Sequence, residues 1–98
     1  MARIAQEEVR SALQKLPGWA LDGEAIRRQF TFGGFPEAVA FMVRLGFEAE
    51  ASDHHPDILV NYKRVTLTYS THSEGGLTRK DLDGAGRASE IARTMGAM

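Results

Sequence analysis

Two hydrophobic periods alternate along the chain, and each switch between them marks an element boundary. Over residues 6–16, Val9, Ala12, Leu13 and Leu16 recur at helical spacing, and Pro17-Gly18 stops the run. Residues 19–21 then read as extended, and Asp22-Gly23 is a hairpin turn signal. The return strand sets Ile26, Arg28, Phe30 and Phe32 on one face against Arg27, Gln29 and Thr31 on the other. Arg28 breaks the apolar parity, which predicts that an edge of this strand is exposed or pairs with another subunit. Gly33-Gly34 closes the hairpin, and Pro36 suits the first helical position, where a missing N–H costs no hydrogen bond. The helix it opens carries Ala38, Phe41, Met42, Leu45 and Ala49 on one stripe, and Pro56 predicts its end near residues 51–53.

Two short strands follow. Ile58, Val60 and Tyr62 share a face of the first; after a turn near Lys63, Val65, Leu67 and Tyr69 share a face of the second. By the two-residue period Thr66, Thr68, Ser70 and His72 fall on the opposite face. Glu74-Gly75-Gly76 reads as a loop. Thr78 and Asp81 have capping-box spacing and open a last helix with Leu82, Ala85, Ser89, Ala92 and Met95 inward. The order α-β-β-α-β-β-α, with both strand pairs as hairpins, predicts an α+β fold. It is a four-stranded antiparallel sheet with three helices packed on one face, in a single domain over residues 1–98.

Composition narrows the function. A formal net charge of -1 supplies no field that would gather nucleic acid or an anionic membrane, so neither is expected as a direct partner. The chain has no cysteine, which excludes disulfides, thiolate catalysis and cysteine-ligated zinc. The first residues lack a signal-peptide core, and no run reaches the ~20 apolar residues of a membrane helix. A cytoplasmic location is the expectation.

Against that background the stretch Asp53-His54-His55-Pro56-Asp57 stands out, because it holds two of the three histidines. Glu50 precedes His54 by one helical turn, while His72 and Asp81 flank the loop before the last helix. If the third and fourth strands form a hairpin, the start of one lies beside the end of the other. Three imidazoles and two carboxylates then converge at one end of the sheet. One reading is that these are unrelated surface histidines in a polar bend. A second is a metal site, since histidine and carboxylate suit zinc or iron. Against it, adjacent residues of an extended chain point to opposite sides, and the spacing is neither HExxH nor a facial triad. A third is general acid–base catalysis. Imidazole supplies both proton forms near neutrality, neighbouring rings divide into acid and base, and Glu50 or Asp81 can fix a tautomer. No serine elbow or cysteine offers a nucleophile, so this chemistry is proton movement without a covalent intermediate.

The spacing of Glu50, His54-His55-Pro56, Tyr62, His72 and Asp81 resembles the signature of the pterin-4a-carbinolamine dehydratases, also known as the dimerization cofactor of a homeodomain transcription factor. The resemblance covers the whole chain, including LPGW up to Trp19, FPEAVAFM, and YSTHSEGGLTRKD. Ile58-Leu59 lacks an aromatic that some relatives carry there. It implies the same four-stranded, three-helix fold and a homodimer or homotetramer. It also implies dehydration of 4a-hydroxytetrahydropterin to quinonoid dihydropterin and water, the 4a-hydroxytetrahydrobiopterin dehydratase reaction. That step recycles tetrahydrobiopterin in an aromatic amino-acid hydroxylase pathway, with no metal or organic cofactor. On this resemblance His55 is the principal proton-transfer group, with His54 and His72 as partners. Glu50 and Asp81 orient the rings, Ser70 and Thr71 bond the pterin edge, Pro56 aims the doublet, and Trp19 either walls the pocket or belongs to the core. The alternative function is a non-catalytic, protein-binding scaffold or transcriptional cofactor of the same fold.

Overall fold

A computed structural model describes residues 2–98. The elements follow the predicted order: α1 (Gln6–Leu13), β1 (Ala20–Asp22), β2 (Ala25–Thr31), α2 (Phe35–Ser52), β3 (Asp57–Asn61), β4 (Arg64–Tyr69), a 3-10 turn (His72–Glu74) and α3 (Arg79–Thr94). Helix α1 stops short of the predicted residue 16. Ahead of Pro17 the chain tightens: Lys15 N–H reaches Ala12 O and Leu16 N–H reaches Leu13 O, both three residues back. The sheet is antiparallel throughout, in the order β1-β2-β4-β3.

That order places β2 and β4 inside the sheet. Their inward residues Ile26, Phe30, Val65, Leu67 and Tyr69 are buried, while Ile58 and Val60 of the edge strand β3 are only partly covered. The expected exposed edge of β2 is present over part of its length: β4 pairs it from Ile26 to Thr31, whereas β1 pairs it only from Ala25 to Arg27, so no strand lies on that side from Arg28 onward. Arg28, the first residue past that pairing, keeps an inward position. Its guanidinium lies 4.3 Å from the Phe30 ring centroid and donates to Pro17 O at 2.8 Å and Ser89 Oγ at 3.2 Å. The stem covers apolar surface while the charged head ties the α1–β1 turn to α3. Burial lowers the pKa of this guanidinium from its ordinary value.

Helix α2 buries Ala38, Phe41, Leu45 and Ala49 on the predicted stripe, with Met42 only partly covered. Phe41 meets Phe30 at 5.4 Å and Phe32 at 4.9 Å between centroids, which fixes the helix on the sheet. Helix α3 packs through small residues, Gly84, Ala85, Ala88 and Ala92. Between the two helices Arg87 Nε lies 2.7 Å from Glu48 Oε1 with its N–H directed off the oxygen, so the contact is charge pairing. No helix of the described residues is long and apolar enough to cross a membrane.

Candidate active site

The site begins where α2 ends. Asp53 adopts the left-handed conformation at φ 52°, tolerable for a short polar side chain. His54 N–H returns to Ala49 O at 3.1 Å and Asp53 N–H to Glu50 O at 3.2 Å, the paired bonds of a Schellman turn. The turn reverses the chain abruptly, and Pro56 keeps the next residues extended into β3. The doublet is thus held by backbone geometry on both sides.

On the other flank, β4 gives out at Tyr69. Thr71 and Gly76 exchange backbone bonds across the 3-10 turn, and Thr78 caps α3. Strand pairing ends with Asp57 opposite Thr68, so the doublet lies beside the residues that follow β4. His72 sits on the 3-10 turn, not on the strand face that a continued two-residue period predicts, because the ladder has already ended.

Asp81 joins the two flanks. Its side chain is fully buried and its oxygens divide the work. Oδ1 meets His54 Nε2 at 2.5 Å; Oδ2 accepts from the Thr78 backbone N–H at 2.9 Å and from Thr71 Oγ1 at 2.7 Å. Thr71 has one hydroxyl proton and gives it to Asp81, so the 3.0 Å contact with Thr78 Oγ1 requires Thr78 to donate to Thr71. Thr78 Oγ1 in turn accepts from Lys80 N–H at 3.2 Å. A directed chain of donors therefore converges on one carboxylate, which as an anion accepts only. His54 Nε2 must carry the proton of its bond, leaving Nδ1 as the nitrogen with uncommitted chemistry.

His55 is held differently. Its Nε2 lies 2.8 Å from Glu50 Oε1, with the imidazole 56% and the carboxylate side chain 81% exposed. His72 is exposed and makes no side-chain hydrogen bond among the described residues. The fold thus brings His54, Asp81 and Thr71 into one network, sets His55 and Glu50 beside it, and leaves His72 one residue beyond Thr71. A cavity of about 450 Å3 lined by Arg3, Ile4, Val9, Leu21, Glu24 and Leu77 includes none of the three histidines. Among the described residues no group of three or more histidine, cysteine, aspartate or glutamate side chains is placed to hold a metal ion.

The remaining candidates fall in several places. Ser70 Oγ donates to Glu24 O at 2.9 Å, tying β4 to the β1–β2 hairpin, so neither this hydroxyl proton nor that of Thr71 is free for a ligand. Trp19 is in the core, 5% exposed, with Nε1 donating to Ser89 Oγ at 2.8 Å. It backs Tyr69 at 5.9 Å, and Tyr69 stacks on His54 at 5.9 Å and 19°. Pro56 is partly buried where the doublet enters β3. Sequence reasoning gave Tyr69 a place on the inward face of β4 but missed its contact with His54. The available signal was its position as the last inward residue before the loop. Burial pushes the Tyr69 phenol up to about 12; the Asp81 and Glu48 charges push the same way and Arg87 opposes them.

A family model described as "Pterin 4 alpha carbinolamine dehydratase" matches residues 2–91. The chain belongs to the pterin-4-alpha-carbinolamine dehydratase family. A protein of Roseiflexus sp. (strain RS-1), named "Putative pterin-4-alpha-carbinolamine dehydratase", is 45% identical over 89 residues, covering 91% of this chain and 96% of the relative. A Thermomicrobium roseum protein of the same name is 42% identical over 92 residues, covering 94% and 99%. The crystal structure of a transcriptional coactivator/pterin dehydratase from Brucella melitensis superposes with a TM-score of 0.87 at 42% identity, covering 92% of this chain and 98% of that one. A pterin dehydratase-like protein identified as a RuBisCO assembly factor in the alpha-carboxysome shares the fold, with a TM-score of 0.67 at 23% identity, covering 76% and 89%.

Proposed function

We propose that the chain dehydrates 4a-hydroxytetrahydropterin to quinonoid dihydropterin and water by histidine acid–base catalysis, serving tetrahydrobiopterin recycling after aromatic amino-acid hydroxylation. The observation that carries the reading is the pairing of adjacent imidazoles with separate carboxylates, His54 with Asp81 and His55 with Glu50. The reaction needs little more. The 4a-hydroxyl leaves once it is protonated, and N5 gives up a proton as the C4a–O bond breaks. Each imidazole presents Nε2 to a carboxylate and keeps Nδ1 for that traffic. His54 is the oriented member. His55 is the accessible one and the principal proton-transfer group, with His72 on the neighbouring turn as the third imidazole. Thr71 and Ser70 contribute backbone groups to the pterin edge, and Pro56 holds the doublet's direction. No metal or organic cofactor enters the scheme.

The test generates the 4a-hydroxy adduct with a hydroxylase and follows its ultraviolet absorbance. Added protein accelerates the decay, and His55→Ala removes most of the acceleration. A decay that stays at its spontaneous rate in the presence of the protein overturns the proposal.

A second role is favoured by one observation. Phe47 is 77% and Val43 50% exposed on α2, away from the buried stripe. Such a face suits association, either as a homodimer or homotetramer or as a scaffold for another protein. Sedimentation at micromolar concentration separates these: a homo-oligomer lost on Phe47→Glu supports self-association, and a monomer contradicts it.

A further inference from the structure

We propose that Tyr69 is a positioning residue for the reaction: its ring sets the plane of the His54 imidazole, which the single bond to Asp81 leaves free to tilt. The inference rests on the dehydratase reading for its kinetic consequence, though not for its geometry. One hydrogen bond at Nε2 fixes one point of a ring. A second surface across the ring face is needed to fix its plane, and Tyr69 supplies it at 5.9 Å and 19° from parallel.

That surface is itself immobilised. Trp19 lies 5.9 Å behind Tyr69 and Phe30 6.1 Å behind Trp19, with Trp19 anchored to Ser89. A row of rings thus runs from the centre of the core to the catalytic imidazole. On the helix side, Gly84 is what makes room. A Cβ at that position would stand 2.6 Å from Tyr69 Cε1 and 2.9 Å from Cζ, so any other residue displaces the ring. The tyrosine hydroxyl makes no hydrogen bond among the described residues. The ring face, rather than the hydroxyl, is therefore the working part, and phenylalanine should replace it.

The experiment compares Tyr69→Phe, Tyr69→Leu and Gly84→Ala by steady-state kinetics and by the nitrogen-bound proton signal of the His54 imidazole in NMR. Tyr69→Phe keeps the signal sharp and kcat within about twofold. Tyr69→Leu preserves the apolar volume but removes the flat face. It lowers kcat about tenfold with KM within about twofold, and the signal broadens through solvent exchange. Gly84→Ala reproduces the Tyr69→Leu result with the tyrosine present, while thermal unfolding stays cooperative. The proposal is overturned if Tyr69→Leu keeps both the signal and kcat, or if Tyr69→Phe loses them as fully as Tyr69→Leu. If wild-type protein fails to accelerate carbinolamine decay at all, the dehydratase reading falls, and the imidazole signal alone still decides whether Tyr69 orients His54.

Discussion

Two histidines adjacent in sequence end up in opposite surroundings. His54 reaches inward to a fully buried carboxylate that also accepts from Thr71 and the Thr78 backbone; His55 reaches outward to a carboxylate in solvent. The Schellman turn at Asp53 and the extended run into β3 cause the split, since successive extended residues point to opposite sides. Burial then decides what each pair is worth. The exposed pair contributes at most about 1 kcal/mol and is screened by salt. The buried pair is costly to break, because removing one partner strands the other's hydrogen-bonding groups. A proton-moving site gains from having both: one ring held fixed and one that adjusts to the substrate.

The largest expected effect comes from deleting the buried acceptor. Asp81→Ala leaves His54, Thr71 and the Thr78 N–H without their shared partner and lowers stability by about 3 kcal/mol or more. Thermal unfolding reads this as a large fall in Tm, and activity is lost with it. His55→Ala sharpens the contrast from the other side. It lowers the catalytic rate by about 10²- to 10⁴-fold yet changes stability by no more than about 0.5 kcal/mol, as expected of a surface position. Equal loss of stability in the two variants would dissolve the distinction between the pairs.

The flank of the buried pair has its own signature. Tyr69 ionises near 12 in the folded protein and near 10 when unfolded. A raised folded pKa means the contribution is complete below pH 10 and is lost as pH climbs from 10 towards 12. Urea midpoints across that window should fall in wild type, and fall less in Tyr69→Phe. The smallest effect belongs to Glu50→Gln. It changes the rate by only a fewfold and stability by no more than about 0.5 kcal/mol, and the rate difference from wild type shrinks as salt rises.

The contrast between the pairs was partly legible in the sequence. Strand parity, the Asp22-Gly23 turn and the capping-box spacing are local rules, and they yielded the element order and the place of Asp81. The convergence of the doublet with the start of α3 followed from hairpin pairing alone. What failed needed three-dimensional information. Arg28 does mark where β1 stops pairing with β2, but periodicity does not show that its long stem covers Phe30 from an inward position. His72 was carried along a strand period that stops at Tyr69, where the backbone turns to pair Thr71 with Gly76. Trp19 was open between pocket and core until its neighbours were known. Which member of the doublet is buried depends on the left-handed turn at Asp53, a conformation that neither composition nor periodicity specifies.

The central claim is that the His54-His55 doublet moves protons for pterin dehydration. Its most direct measurement is the absorbance decay of enzymatically generated 4a-hydroxytetrahydropterin with wild-type protein and with His55→Ala at equal concentration. The account predicts clear acceleration by wild type and near-spontaneous decay with the variant, whose thermal unfolding remains that of wild type. Equal acceleration by both proteins would contradict it.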